Sequence, residues 1–160
     1  MADHTLLAVQ EAFVEAITES ASLGAYCRTI ASYAGQLEAD DLQQRPINTP
    51  AVFVELESTT STPKANRLEE KVGVWNIYCL QENFRGNIQS RTGDGARIGT
   101  LTMLNDLQVL LLGNELGLNV TGDTPIRFWP LRLLTEEAVV NDARWSLYRA
   151  RYQTQYQIRF

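Results

Sequence analysis

The chain has 160 residues, the usual size of one domain, and its 44% apolar content is enough to build a buried core. Charged residues make up 21%, near the globular norm, which excludes a disordered chain, a collagen-like fibre and a disulfide-stapled miniprotein. With 14 Lys and Arg against 19 Asp and Glu the net charge is −5, a poor match to sequence-specific DNA reading or to a polybasic membrane anchor.

In chain order, the first periodic segment is helical and runs from about Asp3 to Leu23. Leu6, Val9, Phe13, Ala16 and Ile17 share one face, widened by Leu7 and Val14, and Gly24 offers a C-terminal stop. Glu11, Glu15 and Glu19 recur at i, i+4 and i+8, almost opposite that face. Like charges at this spacing repel by a few tenths of a kcal/mol per pair. The stripe is therefore either a solvated face or a docking surface for a basic neighbour. The segment lacks a basic leader region and does not read as a signal peptide. The most apolar stretch, near Leu104–Leu112, is interrupted by Asn105, Asp106 and Gln108 and falls short of the about 20 residues that span a bilayer.

Arg28–Leu37 reads as a strand, followed by a short irregular helix to Gln44 and by turn chemistry at 45–50, with prolines at 46 and 50. Ala51–Glu57 is rich in β-formers and reads as a central strand. Ser58–Asn66 is polar, contains Pro63, and reads as a hairpin loop. Leu68–Asn83 returns as a long strand, with Trp75, Ile77 and Cys79 on one face and Val74, Tyr78 and Leu80 on the other.

An irregular stretch follows over 83–99, rich in glycine and carrying Arg85, Arg91 and Arg97. It opens onto a helix over Thr100–Leu112 that Gly113 closes. Leu101, Met103, Leu104, Leu107, Leu110 and Leu111 make its core face. Val109 and Leu112 lie on the opposite side, so this end is expected to be buried all round, under a strand or against another subunit. Ile126–Leu134 reads as a strand interrupted at Pro130, and Asn141-Asp142 as a turn. From Ala143 to Phe160 the residues alternate: Ser146, Tyr148, Ala150, Tyr152, Thr154, Tyr156 and Ile158 face one way, Arg149, Arg151, Gln153 and Arg159 the other. The expected fold is α+β, one domain over 1–160, with a mainly antiparallel sheet whose strands come in antiparallel pairs and two helices packed on it.

Catalytic patterns are scarce. His4 is the sole histidine and lies at the chain end, which leaves little for histidine-based acid–base or metal chemistry. Asp40-Asp41 beside Glu38 lacks the Gly-turned loop of a cation site and reads as solvated surface. Gly93-Asp94-Gly95-Ala96-Arg97-Ile98-Gly99 is one residue too long for the dinucleotide fingerprint, and Asp94 would repel a pyrophosphate. Cys27 and Cys79 form no CxxC and read as small, mostly buried thiols. No enzyme activity, cofactor or metal is expected. The loop arginines are either ordinary surface or an arm that meets an acidic partner, a neighbouring subunit or DNA phosphate.

The layout resembles the Mu-like phage minor tail proteins, a group similar to the tail terminators of long-tailed phages. The resemblance rests on Pro50–Val54, on Trp75–Tyr78, on the Arg-x-Gly-x-Gly loop at Arg91–Gly95 running into a leucine-rich helix that ends at Gly113, and on Leu116–Leu118. It implies a subunit that closes into a hexameric ring with copies of itself on the head-proximal end of the tail tube, in the virion, after assembly in the host cytoplasm. Its further partners would be the tube protein, neck or head-completion proteins and, in a contractile tail, the sheath. DNA would only pass through. A neck or head-completion ring is the alternative within phages, and a cytosolic small-ligand module the alternative outside them.

Overall fold

The computed structural model describes residues 6–37, 47–82, 92–93, 98–118, 127–141 and 144–159. Its frame is a five-stranded sheet in the order β1-β2-β3-β5-β4, built from β1 Thr29–Ser32, β2 Ala51–Lys64, β3 Leu68–Glu82, β4 Arg132–Asn141 and β5 Trp145–Arg159. Three helices accompany it: α1 Leu6–Thr18, the short α2 Leu23–Tyr26, and α3 Thr100–Leu111. The fold is α+β and mainly sheet, as the pattern predicts.

β3 and β5 form the longest ladder, in unbroken antiparallel register from Leu68↔Arg159 to Glu82↔Trp145. The alternation of β5 turns Ala150, Tyr152, Thr154 and Tyr156 inward to the helices. There they meet Trp75, Ile77 and Cys79 of β3, Val52 and Val54 of β2, Val9, Phe13 and Ile17 of α1, and Met103, Leu107 and Leu111 of α3. The Phe13 and Trp75 rings lie 5.4 Å apart at the centre of this layer. A smaller cluster on the other face gathers Leu37, Phe53, Leu80, Trp145 and Leu147, so the sheet is apolar on both faces at one end only.

Four expectations need correction. Ser58–Lys64 is not a loop but continues β2, paired with Leu68–Val74. Pro63 is tolerated because β1 pairs only with 51–54, leaving this part of β2 at the sheet edge, where a missing N–H costs nothing. The hairpin turns instead at 65–67, where Asn66 and Arg67 have φ of 64° and 59°. Second, β1 is shorter than expected and pairs parallel with β2, so the sheet is mixed. Third, the first helix ends at Thr18, whose hydroxyl bonds back to the Val14 carbonyl, 2.7 Å. Gly24 lies inside α2, and a Cβ there would run into the Thr18 carbonyl, so the tight reversal rather than a helix stop requires glycine. Fourth, β4 begins at Arg132, later than expected, because Phe128 makes only an isolated bridge to Tyr156 before Pro130.

Gly113 does close α3, at φ 76°, and its N–H donates to the Leu131 carbonyl. At the other end of α3 the buried hydroxyls of Thr100 and Ser146 lie 2.8 Å apart, and Gln81 Nε2 donates to the Ile98 carbonyl, 2.6 Å. The helix is thereby tied at its start to the sheet and at its end to the strip that leads into β4.

Candidate functional site

Three surfaces carry chemistry that the core does not use. The first is the outward side of α1. Leu7, Glu11 and Glu15 are exposed on one helical stripe, and Glu19 follows in the turn that leaves the helix. Leu7 was expected to widen the core face, but it is 64% exposed and belongs with the glutamates instead. A hollow of about 360 Å³ runs beside the stripe, lined also by Val14, Thr18 and Ser32. No cationic side chain among the described residues pairs with these three carboxylates.

The second is the outward side of α3. Val109 is 79% and Leu112 51% exposed, with Leu101 a further exposed leucine two turns back. The expected burial of this end under a strand is not met among the described residues: α3 rests on β3 and β5 with Met103, Leu104, Leu107 and Leu111, and no described element covers its far side.

The third is the sheet face away from the helices. Glu55 Oε2 accepts from the Tyr78 hydroxyl at 2.7 Å. Arg151 forks onto Glu57 at 2.9 and 3.2 Å, and Arg149 pairs with Glu137 on β4. Burial and then the Glu55 carboxylate push the Tyr78 phenol up to about 12, and the Glu137 hydrogen bond raises Arg149 further. Arg149 and Arg151, two of the β5 arginines, are thus committed to partners in the same sheet.

At the β4 edge of this face lies a groove of about 320 Å³ lined by Trp129, Pro130, Leu131, Arg132, Gln153 and Gln155. The Arg127 guanidinium stands 4.8 Å over the Trp129 ring. The strip is clamped to β5, since Trp129 N–H donates to the Gln155 carbonyl at 2.8 Å and Gln157 N–H to that of Arg127 at 2.9 Å. Among the described residues no carboxylate pairs with Arg127 or Arg132. Sequence reasoning missed this groove. Its signal is the run Arg127-Phe128-Trp129-Pro130-Leu131-Arg132, two arginines bracketing an indole.

Arg85, Arg91 and Arg97 lie outside the described residues, as do His4, Glu38, Asp40 and Asp41. Cys79 is buried and Cys27 half-buried, both as free thiols, and burial pushes Cys27 up to about 12. Among the described residues no three His, Cys, Asp or Glu side chains converge as a metal site, and no helix is long and apolar enough to cross a membrane.

The described surface thus carries paired charges on the sheet, charges without an ion pair at its two ends, and an apolar helix face turned outward. The family model described as Bacteriophage Mu, Gp37 matches residues 5–157, and the chain belongs to that family. It is accordingly a bacteriophage structural protein, associated with the virion, of a kind that is typically not enzymatic. No curated protein matches the chain.

Proposed function

We propose that the chain is a single tail-terminator-like domain that forms a ring, hexameric in the assembled tail, on the head-proximal end of the tail tube. The ring ends tube polymerisation and offers the neck and head proteins a surface to join. In a contractile tail the same ring meets the last sheath layer, and DNA passes through it without being read. The observation that carries this reading is the outward side of α3, where Val109 and Leu112 present apolar surface with no partner among the described residues. Family membership over nearly the whole length supports it. Arg85, Arg91 and Arg97 are assigned to the ring lumen or to an acidic subunit seam, and no residue is assigned to catalysis.

Electron microscopy of tails assembled with and without this protein tests the reading. A ring of its copies at the head-proximal tube end, with overlong tubes in its absence, is expected. A ring found on the head side of the joint, with tube length unchanged, would replace this reading with the neck-protein one.

A further inference from the structure

We propose that copies of this chain dock edge to edge, the Glu11–Glu15–Glu19 stripe of one copy seating against the Arg127–Trp129–Arg132 groove of the next. The proposal deepens the ring reading and rests on it. Three observations point to a second copy as the occupant.

Charge comes first. Among the described residues neither the three glutamates nor Arg127 and Arg132 are ion-paired, and the two sets are opposite in sign; a carboxylate at the groove lining, Glu70, accepts from Gln155 Nε2 at 3.2 Å. Arg144, Arg149 and Arg151 are already held by Glu82, Glu137 and Glu57, whereas Arg127 and Arg132 are not. Arginine is suited to this use, because its planar fork accepts a carboxylate side-on while the indole under Arg127 holds that guanidinium in place.

Placement comes second. α1 packs over β1 and β2, and the groove lies on β5 at the β4 edge, so the two surfaces stand at opposite ends of a five-stranded sheet. One copy cannot join them within itself. Joining them between copies gives a heterologous, head-to-tail contact, the kind that closes into a ring when the rotation per step allows it. A twofold axis passing through either surface alone would bring like charge to like charge there.

Fit comes third. Helical spacing sets the three glutamates along about 12 Å, and at the groove Arg127 and Arg132 stand either side of Trp129 and Pro130 in the chain, so both surfaces are elongated rather than single points. The hollow beside the stripe leaves room for a guanidinium alongside the carboxylates. The clamp to β5 keeps the groove preformed, so little ordering is needed on contact.

The test uses two charge-reversed full-length chains, E11K/E15K/E19K and R127E/R132E, followed by sedimentation. Each alone carries like charge on both surfaces and is expected to self-associate at least about tenfold more weakly than the parent. Mixed in equal amounts, they present opposite charges at every junction and should recover the parent's assembly as alternating oligomers. Parent association should also weaken as salt rises. Either reversed chain assembling like the parent, a mixture that stays apart, or a parent that is monomeric at its highest soluble concentration overturns the proposal. If a reversed chain does not fold by circular dichroism, the neutral sets E11Q/E15Q/E19Q and R127Q/R132Q take its place, and both must then weaken assembly. Tube capping, read separately by microscopy, decides the terminator role: copies that pair in solution but leave tubes uncapped refute that role and leave the pairing standing.

Discussion

The Tyr26 hydroxyl donates to Asp106 Oδ2 at 2.6 Å, joining α2 to α3 across 80 positions of sequence. This bond adds a directed polar tie to the apolar core that α3 already shares with the first two helices. Burial first, and then the Asp106 carboxylate, drive the phenol far above its ordinary range and keep it protonated as a donor.

Tyr26→Phe should therefore cost about 1–3 kcal/mol, because it strands a half-buried carboxylate rather than removing a matched pair. Chemical denaturation of the two proteins measures this directly. The double change Y26F/D106L should recover part of the loss. A double variant as unstable as the sum of the single changes would show that the bond does not couple the two sites.

Alkaline pH should unfold the protein early. Tyr26, Tyr78, Tyr152, Cys27 and Cys79 all have folded-state values raised mainly by burial, with Tyr78 and Cys27 at about 12. The unfolded chain releases these protons first, from the ordinary 9.0 of the thiols and 10.0 of the phenols. Stability from these groups is thus fully present below about pH 9 and falls as pH rises through the folded-state values. Melting temperature against pH between 8 and 11 is the measurement, and a flat profile there would contradict it.

Two neighbouring inward residues of β5 should respond in opposite ways. Trp75 Nε1 donates to Thr154 Oγ1 at 3.1 Å in the buried layer, close beside Gly73. Thr154→Val leaves the indole N–H unpaired and should cost about 1–3 kcal/mol, while Thr154→Ser keeps the acceptor and should cost less. The Tyr152 hydroxyl is buried with no hydrogen-bond partner among the described residues, so Tyr152→Phe should be neutral or stabilising by about 1 kcal/mol. Thermal or urea melts of the three variants check the contrast.

Val109→Gln together with Leu112→Gln should leave the folded subunit within about 0.5 kcal/mol of the parent, since both side chains face outward and glutamine suits a helix. The same double variant should lose tube capping. Capping at parental efficiency would make α3 an ordinary solvated helix face.

The sheet was legible where one residue type alternated against another. From Ala143 on, the period of two is so regular that the two faces of β5 could be read off directly, and the structure turns the one carrying Ala150, Tyr152, Thr154 and Tyr156 inward. The far half of β2 was not legible, because Ser58–Lys64 is polar throughout and held by its ladder to β3 rather than by any buried face of its own. The fold of Gly24 against Thr18 could not be foreseen, since only the close approach of two backbones distinguishes it from a helix stop. The candidate surfaces divide in the same way. The acidic stripe is visible in spacing alone, whereas the groove needs Gln153 and Gln155 of β5 beside Trp129, an encounter made by the single bridge of Phe128 to Tyr156.

β5 is the last of the five strands in sequence yet lies between β3 and β4. During synthesis, β3 must therefore wait with one long edge open until β5 has left the ribosome, and its pairs with β5 close loops of more than 60 positions. Such distant pairing makes folding slow, and the waiting edge is a place where a second nascent chain can pair wrongly. A cell making many copies of a phage structural protein at once faces that hazard at its greatest. How quickly β5 finds its slot therefore bears on the yield of soluble subunit, beside how stable the finished sheet is.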